Sequence, residues 1–316
     1  MAFMANPRTL ELNFQPANIV EYEAGEAQMA WAELSDVRCY YELIGDGEPL
    51  LLIPGLAATC RLWDPVTPLL SRHFSCIIAD NRGIGRSIAR KRPTSLCGYV
   101  SDFVELLDEL QLERAHVLGV SLGGVIAQRL ALDHPSRVDH LVLVSTSSFF
   151  TPYLRQMALL LAQGLRHFKK QSFVRMMELL ATSPEFHDAH PDIVEQRVQA
   201  KCASRVSRGA IGTQLRCLAR SEVKPEDYRI TAPTLVLAGE YDPIIPGCYA
   251  QRMAEMIPGA EFHLFEGAGH NPIVDDPELI VPLIEQFVFG DREHSQKGNE
   301  DPYASHAVAA LGGERR

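Results

Sequence analysis

Six short, continuous apolar runs set the limits of what this 316-residue chain can fold into. They are Pro49–Ile53, Ser75–Ala79, Ala115–Gly119, His140–Val144, Thr234–Ala238 and Glu261–Phe265. A strand with one face in water alternates apolar and polar residues. A continuous run needs cover on both faces, which a parallel sheet between layers of helices provides. Between the runs lie stretches of helical spacing: Tyr99–Leu110, with Val100, Phe103, Val104, Leu106, Leu107 and Leu110, then Leu122–Leu132 and Ile280–Phe289. Ahead of them Met29–Leu34 and Val37–Leu43 alternate around Ser35-Asp36, the pattern of a hairpin. Strand, helix and strand in alternation predict an α/β fold, a mostly parallel central sheet flanked by helices.

The alternation stops between Phe149 and Ile230. No convincing strand occurs there, but Leu154–Leu165 and Phe173–Leu180 have helical spacing. This reads as a helical cap inserted over the carboxyl edge of the sheet. The expected organisation is an N-terminal extension at 1–26, a first part of the core at 27–148, the cap at 149–230, a second part of the core at 231–290, and a polar, disordered tail at 291–316. Within the extension Leu10–Phe14 is β-like, and in the tail Ala304–Leu311 is a marginal helix.

Composition narrows the classes. Hydrophobic residues at 46% and charged residues at 22% are those of an ordinary globular protein with enough chain to bury a core. A net charge of −10 argues against a nucleic-acid partner, which needs a basic face. No uncharged apolar run reaches the roughly 18 residues of a membrane span. Met1–Arg8 lacks the layout of a secretory signal, so a cytoplasmic location is expected. Cys39, Cys60, Cys76, Cys97, Cys202, Cys217 and Cys248 are odd in number and scattered, with no CxxC pair. That argues against a disulfide framework or a zinc site and for free thiols in a reducing compartment.

The chemistry concentrates at three loops. Gly119-Val120-Ser121-Leu122-Gly123 is a G-x-S-x-G pentapeptide, expected by chance about 0.1 times in a chain of this size. It follows a buried run and opens a helix, as a nucleophile elbow requires. The serine would sit at a strained turn, with glycine at 119 and 123 because strand and helix approach too closely for side chains. The helix start favours developing negative charge. A serine hydroxyl needs a base, and Gly267-Ala268-Gly269-His270-Asn271-Pro272 supplies His270 after the last run. An acid must orient the imidazole, and Gly239-Glu240-Tyr241-Asp242-Pro243 supplies Asp242, with Glu240 as its rival. Ser121, Asp242 and His270 each follow a predicted strand, where active sites of such sheets form. For an oxyanion hole the backbone N–H of Leu122 is one donor. The Pro54-Gly55-Leu56-Ala57-Ala58 loop supplies the other, assigned to Leu56.

Together these residues resemble the α/β-hydrolase superfamily over about residues 27–290. The matching motifs are Ile53-Pro54-Gly55-Leu56, Asp80-Asn81-Arg82-Gly83-Ile84-Gly85-Arg86-Ser87, Gly119 to Gly124, Gly239 to Pro243 and Gly269-His270-Asn271-Pro272. Within the superfamily the chain is similar to capped carboxylesterases and 3-oxoadipate enol-lactonase-like hydrolases. The resemblance implies an α/β-hydrolase fold and hydrolysis of a carboxylic ester or lactone through an acyl-enzyme on Ser121. Pro54-Gly55 departs from the His-Gly of many members, so the local hydrogen bonds must differ. Serine rather than aspartate at 121 speaks against epoxide hydrolase and haloalkane dehalogenase activity. A carbon–carbon bond hydrolase of a diketone and an acyltransferase are the alternatives on this scaffold, and a non-catalytic ligand receptor is the alternative outside enzymes. Ser121-Leu122-Gly123-Gly124 lacks the methionine frequent after the serine of the carbon–carbon hydrolases.

Other residues have structural readings. Asp80 and Arg82 are expected to pair in a tight loop. Asp275 and Asp276 are expected as solvated or helix-start carboxylates, His116 and His140 as satisfied structural histidines, and Trp63 as core or pocket wall. In the cap, Met157, Leu160, Leu161, Phe168, Phe173, Met176 and Met177 should pack the cap or line an apolar pocket. Residues 151–230 hold 13 Lys+Arg against 8 Asp+Glu, while the remainder holds 17 against 32. A cap arginine meeting an anionic substrate is therefore a sharper expectation than simple charge complementarity. The substrate is expected to be a small, mainly apolar ester or lactone. No metal, organic cofactor, nucleic acid or membrane partner is implied, and a homodimer stays open.

Overall fold

The computed structural model describes residues 27–148, 151–204, 206–220 and 228–290. The readings made for 1–26, including Leu10–Phe14, and for 291–316, including Ala304–Leu311, lie outside the described residues. The strands are β1 (Gln28–Glu33), β2 (Val37–Ile44), β3 (Glu48–Ile53), β4 (Phe74–Ala79), β5 (Ile88–Ala89), β6 (Ala115–Val120), β7 (Val138–Val144), β8 (Thr234–Gly239) and β9 (Glu261–Phe265). They form one sheet in the order β1-β2-β4-β3-β6-β7-β8-β9, with β5 beside β2. Strands β1 and β2 pair antiparallel with Glu33 opposite Arg38, and β2 lies antiparallel to β4. From β4 through β9 every neighbour is parallel.

The helices are α1 (Thr67–Leu70), α2 (Cys97–Glu109), α3 (Leu122–Asp133), α4 (Pro152–His167), α5 (Lys170–Ala181), α6 (Pro184–Ala189), α7 (Pro191–Ala203), α8 (Arg208–Ala219), α9 (Gly247–Ala254), α10 (Pro272–Asp275) and α11 (Pro277–Phe289). The pleat sends alternate residues of each run to opposite layers. Leu51, Ile53, Val117 and Val236 pack with Phe103 and Leu106 of α2, Ile126 of α3 and Met253 of α9. Leu50, Leu52, Leu118 and Leu235 pack with Trp63, Leu70 and Ile280 and Ile284 of α11. Leu50 to Ile53 are fully buried, and each such side chain contributes about 2 kcal/mol of transfer free energy. Trp63 thus belongs to the core. Among the described residues no helix is long and apolar enough to cross a membrane.

One strand departs from its expected surroundings. Glu261–Phe265 reads as a run covered on both faces, yet β9 pairs only with β8 and closes the edge of the sheet. Phe262 and Phe265 pack inward on opposite layers, while Leu264 remains 48% exposed.

Helices α4 to α8 lie between β7 and β8. Prolines at first-turn positions or side-chain caps set the starts of all but α5. Thr151, Ser183 and Ser207 accept the N–H groups of Leu154, Phe186 and Ala210. Leu161, Leu165, Phe173, Ile211 and Leu215 form their shared core, and Leu56 and Ala57 of the sheet layer pack against it. Beneath them, β4 and β6 flank β3 on opposite sides, so the strand order reverses at β3 and β6 and opens a crevice at their carboxyl ends.

Candidate active site

Ser121 occupies the turn between β6 and α3 with φ 55 and ψ −117, a conformation costly for any L residue. The surroundings impose it. A Cβ on Gly119 would lie 2.5 Å from the Gly123 carbonyl oxygen, and one on Gly123 would lie 2.0 Å from that of Ile53. The Ser121 N–H donates to Val144 O at 2.9 Å, and its carbonyl accepts from Val125 N at 3.1 Å and from Thr146 Oγ1 at 2.8 Å. Gly55 is also closely approached here: a Cβ on it would lie 3.2 Å from Val120 O and 3.4 Å from Ser121 Cβ.

The structure brings Asp242 and His270 together. His270 Nδ1 and Asp242 Oδ2 are 2.7 Å apart, and both residues are buried. Asp242 Oδ1 accepts the N–H groups of Ile244 at 2.8 Å and Ile245 at 2.9 Å, which fixes the carboxylate. A carboxylate only accepts, so Nδ1 carries a proton, and in the neutral ring the lone pair is then on Nε2. Glu240, the rival acid, accepts the Gly267 N–H at 3.1 Å on the surface instead. The two loops touch closely enough that a Cβ on Gly239 would lie 2.0 Å from Gly269 O.

Ser121 and His270 line one cleft of about 2550 Å³, along with Leu56 and Leu122. As first residue of α3, Leu122 carries an N–H without an intrahelical partner. The proline at 54 is accommodated by Asn81, whose Nδ2 donates to Pro54 O at 3.0 Å. From the inserted helices Met157, Leu161, Phe173 and Met177 form the apolar wall. Leu160 and Phe168 face outward, and Met176 packs within the inserted helices.

The cleft's cationic side chains are bonded within the protein. Arg197 Nη1 lies 2.8 Å from Asp275 Oδ1 and 3.8 Å from Glu178 Oε1, and Lys201 pairs with Glu178. Lys170 donates to Ser204 O at 2.6 Å, and Arg208 donates to the carbonyls of Leu165 and Phe168. On the sheet side, Arg61 Nη2 and Arg86 Nη2 reach Glu42 Oε1 at 2.8 and 2.9 Å.

Several residues depart from their expected surroundings. Asp80 and Arg82 do not pair: Asp80 accepts the backbone N–H groups of Cys60 at 2.7 Å and Arg86 at 2.8 Å, while Arg82 binds Asp102 and Asp36. Asp276 caps α11 through the Leu279 N–H, as expected, but the partly buried Asp275 is held against Arg197 rather than solvated. Burial raises its carboxyl above the ordinary range, with Arg197 opposing. His116 Nε2 meets Glu48 at 2.8 Å, yet Nδ1 of both His116 and His140 is buried without a partner among the described residues.

Residues absent from the sequence reading tie the inserted helices to the loops. Tyr153 donates to Pro243 O, beside Asp242. Ala181 O accepts the Asn271 N–H at 3.1 Å, beside His270. Gln214 Oε1 accepts the Ala57 N–H at 2.9 Å, beside Leu56. These pairs are distant in sequence and carry no local signal.

Comparison with known proteins agrees with this architecture. A "Putative carbamate hydrolase RutD" of Caulobacter sp. (strain K31) is 28% identical over 262 residues, covering 80% of this chain and 96% of that protein. The crystal structure of a hydrolase from Pseudomonas aeruginosa PA01 superposes with a TM-score of 0.75 at 30% identity, covering 82% of this chain and 98% of that one. The enol-lactonase from Burkholderia xenovorans LB400 shares the fold, with a TM-score of 0.74 at 19% identity over 82% of this chain and 100% of that one. Residues 48–277 match the family described as alpha/beta hydrolase fold, and with the strained Ser121 turn at the crevice of such a sheet, the chain belongs to that family.

Proposed function

We propose that this hydrolase cleaves a carboxylic ester or lactone through an acyl-enzyme on Ser121. The observation that carries the reading is the 2.7 Å contact of Asp242 with His270 Nδ1, which turns the imidazole into an oriented base at a cleft shared with the strained Ser121. Ser121 Oγ attacks the acyl carbon while His270 Nε2 takes its proton. Asp242 holds the tautomer and stabilises the imidazolium. The amides of Leu56 and Leu122 receive the oxyanion. The imidazolium protonates the leaving alcohol, and His270 then activates water to release the acid. The apolar wall supports a mainly apolar acyl or alcohol group. The cleft's cap cations already hold protein acceptors, so a neutral substrate is favoured over an anionic one.

The test is a fluorophosphonate probe together with a panel of esters and lactones of varied acyl length. Wild type should label and turn over substrate, and Ser121→Ala should do neither. Equal rates for the two would overturn the mechanism. The carbamate hydrolase relative makes carbamates a second acyl class for this site. Matched ester and carbamate pairs with one alcohol separate them, and added alcohols separate hydrolysis from acyl transfer.

A further inference from the structure

The turn that carries Leu56 does not hold itself in place. Ala58 N donates to Gly55 O at 3.3 Å, so Leu56 and Ala57 are its two central residues. Ala57 has a φ of 61 and Leu56 has a negative one. Of the common turns only type II fits, and type II asks for glycine or asparagine where this chain has Ala57. Type I, which alanine accepts readily, differs by a flip of the Leu56–Ala57 peptide. In the observed orientation the Ala57 N–H is directed at α8 and meets Gln214 Oε1 at 2.9 Å.

Gln214 is fully buried, and its Nε2 has no hydrogen-bond partner among the described residues. Exchanging the ends of the amide would set NH2 against the Ala57 N–H, so the acceptor assignment follows from chemistry. A buried carboxamide with one end unsatisfied is a poor choice for packing beside Ile211 and Leu215, where an aliphatic side chain would serve better. What it supplies is a single acceptor for a single backbone N–H. Gln214 is not among the residues lining the cleft, although Leu56 and Ala57 are.

We propose that Gln214 is a positioning residue: by anchoring the Leu56–Ala57 peptide in the type II turn it fixes the backbone segment from which the Leu56 N–H reaches the acyl oxygen of the transition state. The inference rests on the ester or lactone reading above, in which Leu56 is an oxyanion donor. It makes the inserted helices part of the catalytic alignment as well as of the pocket wall. Gln214 touches no substrate, and its effect travels through one peptide unit.

The full chain tests this with Gln214→Met, which keeps side-chain length and removes the acceptor. Active sites are titrated with a fluorophosphonate, so that misfolded protein does not count. Removal of one oxyanion donor lowers kcat about 100- to 1000-fold, and loosening the segment that carries it should cost about 10- to 100-fold per titrated site. KM should stay within about threefold. The affinity of a trifluoromethyl ketone, whose adduct with Ser121 places an oxyanion in the hole, should fall by the same factor as kcat/KM. Adding Ala57→Gly should restore several-fold of the loss, because glycine holds a positive φ without help. Per-site kcat and ketone affinity at wild-type level in Gln214→Met would overturn the proposal, as would a loss that Ala57→Gly leaves untouched. Failure of wild type itself to label would overturn the serine hydrolase reading, and this inference with it.

Discussion

Arg197 Nη1 lies 2.8 Å from Asp275 Oδ1, joining helix α7 to α10 five residues beyond His270. The guanidinium also sits 4.7 Å from the Phe186 ring centre, donates to Val274 O at 3.4 Å and faces Glu178. Removing the cation leaves Asp275 without its ion-pair partner in a poorly solvated site, with Glu178 held by Lys201 alone. Arg197→Met should therefore destabilise by about 3 kcal/mol, and Asp275→Asn by less, because Glu178 remains for the arginine. Denaturant unfolding of the two single variants and the double variant checks the asymmetry, and equal losses would refute it.

Asp242→Asn should lower kcat by about 10⁴ with unchanged stability, since an amide that donates to Nδ1 enforces the unproductive tautomer. Glu240→Gln should stay within about threefold of wild type, because the Glu240 carboxylate accepts the Gly267 backbone N–H and not a proton of His270. Steady-state kinetics of the pair decides which acid serves His270.

Two glycine replacements should act in opposite directions. Gly123→Ala forces a methyl to within 2.0 Å of a backbone oxygen of β3, which cannot yield cheaply, and should abolish activity or folding. Gly212→Ala, on α8, meets the flexible Arg216 end at 3.4 Å and Leu165 Cδ2 at an ordinary contact distance of 3.9 Å, and should stabilise by about 0.5–1 kcal/mol through helix propensity. Thermal melts and residual activity report both.

Burial pushes the Asp64 carboxyl up to about 6, against the opposing pull of Arg61. A carboxyl whose folded value is raised favours the folded state while it is protonated. That stabilisation is complete below about pH 4 and is lost as pH rises through about 6. Asp64→Asn should therefore stabilise the protein relative to wild type at pH 8, by up to about 3 kcal/mol, and make little difference at pH 4. Melting curves at the two pH values test the sign.

The strands and the three loops were legible because each rests on local chemistry. Leu50 to Ile53 are continuous and apolar because both faces are covered, and Gly119 and Gly123 stand where a Cβ would meet backbone. Helix α7 was not legible: it buries only Val194 and Val198, so its apolar stripe is too narrow to read. Asp275 was misread because its partner is 78 residues away, and Gln214 was missed because its partner is 157 residues away. Glu261–Phe265 was misplaced because apolar content does not distinguish an inner strand from an edge strand whose aromatics pack to opposite sides.

The inserted helices hydrogen-bond to a residue adjacent to Leu56, to Asp242 and to His270. For anyone recombining this chain with its relatives, the segment is consequently not an exchangeable module of specificity. A foreign segment that filled the same space and presented a new wall, but lacked the acceptor of Gln214, the hydroxyl of Tyr153 or the carbonyl of Ala181 in register, would bring its substrate to a misaligned site. Successful chimeras should be those whose junctions carry these three contacts across intact.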